Sequence, residues 1–171
     1  TKIIMKKYLF LLLLLPLIAT SQTKAETEDW IISKFNRWKQ NITNYDLQFG
    51  AFESYTDFKT LKIDGCNLII TTNKTISGLV DKKKEVRIIK IGDIEELKWY
   101  KDELFILTRK TNVLVKTYDL NTNNFETKTY VKGAKFKINT NAENNLKNRM
   151  LKALNHLKSF CKPTIDEKET F

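Results

Sequence analysis

Glycine, proline, cysteine and histidine are all scarce in this 171-residue chain, which holds five, two, two and one of them respectively. So little glycine and proline excludes collagen-like and low-complexity chains, which depend on those residues. Two cysteines and one histidine fall short of the four closely spaced ligands of a structural zinc site, so no metal is expected. The single histidine, His156, stands beside Leu157 on the border of an apolar helix stripe. No nucleophile and orienting carboxylate accompany it, so it is read as structural. Neither a glycine-rich phosphate loop nor a dinucleotide fingerprint is present, and no cofactor is expected. The segment Asp119-Leu120-Asn121-Thr122-Asn123 opens like a calcium loop. Its sixth and twelfth positions are Asn124 and Tyr130 where that loop needs glycine and glutamate, so a hairpin turn is expected instead.

The chain does carry an apolar run near its start. Lys6 and Lys7 precede Tyr8 to Ile18, and Ala19 and Ser21 follow it, in the three-part layout of a secretory signal peptide. As a helix the run measures roughly 16 Å, against the roughly 30 Å of a bilayer's hydrocarbon core. Pro16 would weaken it further as a permanent membrane helix. The expectation is export with cleavage near Ser21-Gln22, the alternative being an uncleaved anchor. No cysteine lies between Leu9 and Ala25, so no lipid anchor is expected. Residues 1–21 are assigned to the leader, 22–163 to a single α+β domain and 164–171 to a flexible tail. The mature chain is expected to be periplasmic or secreted, without a nucleic-acid partner and without a transmembrane helix.

Loss of Lys2, Lys6 and Lys7 with the leader lowers the formal charge from +10 to +7. A basic surface attracts lipid head groups, acidic polysaccharides or acidic proteins. The lysines are spread along the whole chain, however, which reads as a solvated surface. The densest group, Lys82-Lys83-Lys84 after Asp81, is placed in a turn and read as a basic edge for an anionic envelope component or a protein.

Helical periodicity appears at the two ends of the domain. Ile31, Phe35, Trp38, Ile42 and Tyr45 are spaced four, three, four and three, which predicts a helix from Trp30 to Tyr45 with Thr27 as its cap. Leu146, Met150, Ala153, Leu157 and Phe160 predict a second, with Asn141 as cap and Pro163 as stop. Between them the period changes to two. Leu61 and Ile63, then Asp64-Gly65, then Cys66, Leu68 and Ile70 read as a tight hairpin. Further strands are expected over Ile76 to Val80, over Val86 to Ile91 with a bulge at Ile88-Ile89, and over Leu97 to Tyr100 paired with Leu104 to Thr108. Val113 to Tyr118 is expected to pair with Phe125 to Val131. Ala134, Phe136 and Ile138 are expected inside, with Lys135 and Lys137 facing water. Short links between successive strands imply an antiparallel meander of about seven or eight strands, a bent sheet or partly open barrel.

Strands in that number followed by one C-terminal amphipathic helix resemble the pleckstrin-homology-like architecture, over Phe58 to Phe160 and on element order alone. The resemblance implies a bent sheet plugged by the last helix, and binding of lipids or peptides rather than catalysis. The N-terminal helix lies outside that pattern, and an ordinary sheet covered by two helices is the alternative.

Cys66 and Cys161 permit one disulfide in an oxidising compartment; two buried thiols are the alternative reading. Trp99 and Tyr100 point to opposite faces of a short strand and are read either as one outward ring for ligand contact or as two packed rings. No catalytic set is expected. The function expected is a small non-enzymatic binding or interaction module of the cell envelope. One alternative is a hydrolase of envelope polymers that draws on the carboxylate cluster Asp93, Glu95, Glu96, Asp102 and Glu103, with Asp93, Glu95 or Glu96 as acid or base. Another is an assembly accessory contacting a partner, or a second copy, through Trp30 and Trp38.

Overall fold

The computed structural model describes residues 22–46, 52–76 and 82–163. The expected leader, the tail, Asp81 and most of the Ile76–Val80 strand lie outside these described residues. The fold is α+β and antiparallel. Helix α1 (Lys24–Trp38) leads into the short strand β1 (Lys39–Gln40) and then β2 (Ile42–Asp46). The sheet strands that follow are β3 (Phe52–Asp64), β4 (Asn67–Ile76) and β5 (Lys82–Lys90), and then, after a 3-10 turn at Ile91–Asp93, β6 (Ile94–Tyr100) and β7 (Glu103–Thr108). Strands β8 (Val113–Asp119), β9 (Phe125–Val131) and β10 (Gly133–Ile138) precede helix α2 (Leu146–Ser159).

The strands form two sheets, one ordered β1-β10-β7-β6 and the other β2-β3-β4-β5-β8-β9. Three expected hairpins are present, β3–β4, β6–β7 and β8–β9. The strand order is not a continuous meander, because β5 pairs with β8 while the β6–β7 hairpin leaves to build the second sheet. The 3-10 turn makes that departure. Ile91 N–H donates to the Cys66 carbonyl, and Ile91, Gly92 and Asp93 are all buried. The bulge expected at Ile88-Ile89 is absent, since both pair in unbroken register with β4 and β8. The register shifts fall instead at Phe58/Thr60, Ile94/Glu96 and Thr117/Tyr118.

Helix α1 ends seven residues before the end expected from its apolar spacing. The Trp38 carbonyl accepts from Asn139 N–H, and Lys39 pairs with Ile138, so the end of β10 takes over the chain where a further helical turn would have formed. Ile42 is still buried, as its place in the stripe suggested, but from a strand. The cap is Thr23, in a reciprocal capping box with Glu26, and not Thr27. Thr27 lies inside, with its hydroxyl bonded to the Thr23 carbonyl and 3.0 Å from His156 Nδ1. At α2 the N-cap is Asn145, in a left-handed conformation, rather than Asn141. Leu146, Met150, Leu154 and Leu157 form its buried side, while Phe160 is 44% exposed and stacks edgewise on His156.

Two tethers hold the helices in place. Cys66 and Cys161 are disulfide-bonded across a sequence separation of 95, with Cα atoms 5.7 Å apart. The bridge joins the Asp64-Gly65 turn, where Gly65 has φ +60, to the chain leaving α2. Lys24 at the start of α1 donates to the Gly65 carbonyl, and a Cβ on Gly92 would stand 2.1 Å from the Lys162 carbonyl oxygen. Only glycine allows that backbone approach.

The second tether is Glu143. Its Oε1 accepts from Lys34 Nζ and Trp38 Nε1 of α1, and its Oε2 faces Arg149 of α2 at 3.3 Å. The Lys34 hydrogen bond, then that of Trp38, holds this carboxyl below the ordinary 4.5. A carboxyl lowered in the folded state contributes stability that is present above the unfolded value and lost as pH falls through the native one. Glu143→Gln should therefore cost about 1–2 kcal/mol at neutral pH. It should also make the loss of stability below pH 4.5 shallower, with the shares of Glu26 and Asp119 retained. Urea titrations at a series of pH values measure both effects.

Candidate functional site

The core-side face of the six-stranded sheet changes character along its strands. Residues directly paired across an antiparallel sheet share a face, so the register defines rows. Ile63, Leu68, Ile89 and Val113 make an apolar row, and Leu61, Ile70, Arg87 and Val115 the next. The third row is Phe58, Thr72, Glu85 and Thr117, and the fourth is Ile42, Thr56, Lys74 and Lys83. The first two rows lie largely in the hydrophobic core with Ile31, Phe35 and the apolar side of α2.

Where the rows turn polar the face opens into a cavity of about 130 Å³. Ile42 and Phe58 supply its apolar wall, and Thr56 and Thr72 line it together with the charged Lys74, Glu85, Arg87 and Lys135. Lys135 comes from β10 of the other sheet, so it is not simply turned to water as its alternation with Ala134 and Phe136 suggested. Within the site Arg87 Nη2 is 2.9 Å from Glu85 Oε2, and Lys135 Nζ is 3.2 Å from Glu103 Oε2. Thr72 is 2% exposed, and its hydroxyl finds no hydrogen-bond partner among the described residues. An unsatisfied buried hydroxyl costs about 1–3 kcal/mol.

The residues singled out from the sequence lie elsewhere. Lys82, Lys83 and Lys84 are not in a turn but open β5, between β4 and β8. Successive strand residues alternate faces, so they cannot act as one basic edge. Lys83 is 3.4 Å from Glu126, and Lys84 donates to Asn123 and lies over Tyr118. Trp99 is half-buried, donates Nε1–H to the Lys147 carbonyl of α2 and has the Lys147 ammonium over its ring. Tyr100 is the outward ring, 62% exposed and beside Lys101. Trp99 and Tyr100 belong to the smaller sheet, so the structure does not unite them with Lys82–Lys84 in one site.

The carboxylates offered for acid–base chemistry are also dispersed. Asp93 is buried at one end of the β6–β7 hairpin and accepts from Asn112 Nδ2. Asp102 lies at the other end, roughly 20 Å away at about 3.3 Å per strand residue, where it accepts from the Thr140 hydroxyl. Paired glycosidase carboxylates stand about 5–10 Å apart. Glu95 and Glu96 are exposed. The expected calcium-like segment is a hairpin turn in which Asp119 Oδ1 accepts from Asn121 N–H, Thr122 N–H and the Thr122 hydroxyl. Those bonds, that of the Thr122 N–H foremost, hold the Asp119 carboxyl below its ordinary value. Among the described residues no three His, Cys, Asp or Glu side chains converge as metal ligands, and no helix is long and apolar enough to cross a membrane. Trp30 and Trp38 are half-buried beneath Arg149 and Arg37 respectively.

Comparison with protein-family models, with curated proteins and with solved structures finds no match to this chain.

Proposed function

We propose that this chain is an exported, non-enzymatic binding module of the cell envelope, and that it takes an anionic ligand in the cavity at the polar end of the large sheet. The observation that carries this reading is a cavity whose lining holds three cationic side chains, one carboxylate and Thr72, a residue whose buried hydroxyl has no partner among the described residues. The Cys66–Cys161 disulfide supports the export reading, because such bonds persist in oxidising compartments. Strands followed by a C-terminal helix support the pleckstrin-homology-like reading and its non-catalytic implication. The distance between Asp93 and Asp102, and the exposure of Glu95 and Glu96, speak against the hydrolase alternative. The binding element differs from the one expected from the sequence: a sheet face in place of the Lys82–Lys84 edge.

Titration of the isotopically labelled protein with sodium acetate at low ionic strength tests this reading. Saturable amide shifts confined to Thr72, Lys74, Glu85 and Arg87 are expected. Small shifts spread over all lysine-bearing strands would mean diffuse surface attraction, and the cavity reading would be abandoned.

A further inference from the structure

We infer that the ligand of this cavity is a small organic monocarboxylate with a compact apolar body, an inference that rests on reading the cavity as an anion site. Charge, size and wall chemistry each narrow the class. Of the three cations in the lining, Arg87 is paired with Glu85 and Lys135 with Glu103. Lys74 has neither an ion pair nor a hydrogen bond among the described residues. The site therefore holds one uncompensated positive charge, which a single carboxylate matches. A phosphate group, carrying about −1.5 to −2 near neutral pH, would exceed that charge and be repelled by Glu85 and Glu103.

Size points the same way. A cavity of about 130 Å³ is slightly smaller than the roughly 150 Å³ that holds one benzene molecule, so it can take at most a ring-sized apolar body with the carboxylate at its charged mouth. An inorganic oxyanion would leave the Ile42 and Phe58 wall facing solvent, whereas a ring or branched alkyl group would cover it. Thr72 and Lys74 are two residues apart on one face of β4, so their polar atoms arise about 7 Å apart along the strand. A carboxylate between them can accept from the Lys74 ammonium with one oxygen and, once the buried Thr72 side chain turns its hydroxyl toward the cavity, from that hydroxyl with the other. Its apolar body then lies toward Phe58, the residue paired with Thr72 across β3 and β4. No covalent step is involved.

Calorimetric titration with sodium benzoate, benzyl alcohol and inorganic phosphate tests the inference. Benzoate should bind one to one, at least about tenfold more tightly than either of the others, since one charge-assisted hydrogen bond supports a factor of that order. Lys74→Gln should weaken benzoate about tenfold while leaving benzyl alcohol unchanged, and Thr72→Val should weaken benzoate by a smaller factor while raising thermal stability, since valine removes an unsatisfied buried hydroxyl. Phosphate binding as tightly as benzoate would overturn the monocarboxylate class and leave the anion site standing. Benzyl alcohol matching benzoate would show that the charge plays no part and would overturn the inference. No binding of any anion would overturn both the inference and the proposed function.

Discussion

Replacing Cys66 and Cys161 together by alanine should lower the stability of the folded chain by about 4–5 kcal/mol. In the chain-entropy model the cost of losing a cross-link grows with the loop it closes, and a loop near 100 residues corresponds to about 4.7 kcal/mol. The separation here is 95 residues, and the bridge spans from the β3–β4 hairpin of the large sheet to the end of the last helix. Local contacts share the same load, since the Cys66 carbonyl, Gly65 carbonyl and Gly92 backbone each meet another segment at this point. The variant should fold but unfold at a markedly lower urea midpoint, with a melting temperature lower by roughly 10–20 °C for a domain of this size. The double replacement avoids leaving one thiol free to exchange. An unchanged midpoint would mean that these cysteines contribute to the fold only as small apolar side chains.

Phe35→Ala should be nearly as damaging, at about 3–5 kcal/mol, the range for truncating a buried aromatic ring. Phe35 is fully buried and meets two rings edge-on, Phe136 with centroids 4.9 Å apart and Phe58 at 6.1 Å. Those partners belong to different sheets, so one side chain of α1 locks both together. Edge-on pairs add about 0.5–1.5 kcal/mol beyond area burial. Phe35→Leu should retain much of the volume and cost less than half as much, a comparison that urea unfolding of the two variants provides. Because Phe58 also lines the cavity proposed to bind an anion, Phe35→Ala should weaken that binding even at temperatures where the variant stays folded.

The elements that could be read from the sequence were those whose information is local. The Asp64-Gly65 hairpin, the pairing of β8 with β9 and the buried alternation of Ala134, Phe136 and Ile138 all follow from turn chemistry and period two. The end of α1 did not, because Ile42 continues a helical spacing while Asn139 and Ile138, about a hundred residues away, capture the backbone at Trp38 and Lys39. The departure of β6–β7 into a second sheet depends on Ile91 meeting Cys66, which no local pattern encodes. Burial of Phe160 failed for a simpler reason: it falls at the C-cap of α2, where the helical face ends.

The cavity was missed because its residues read individually as solvated charge. The signal lay in β4 and β5 taken together. Leu68, Ile70, Thr72 and Lys74 share one face, and so do Ile89, Arg87, Glu85 and Lys83. Along the chain that face passes from core to polar on β4 and from polar to core on the antiparallel β5, at matching register. A face that stays inward while turning polar marks a site more specifically than three consecutive lysines, which a strand sends to both sides.

The central claim is that the polar end of this face binds an anion through Lys74 and Thr72. The most direct measurement is the acetate titration followed by amide shifts, performed on the native protein and on Lys74→Gln. The account predicts saturable shifts at Thr72, Lys74, Glu85 and Arg87 in the native protein, and their loss in the variant with the rest of the spectrum unchanged. Equal shifts in both proteins would contradict it.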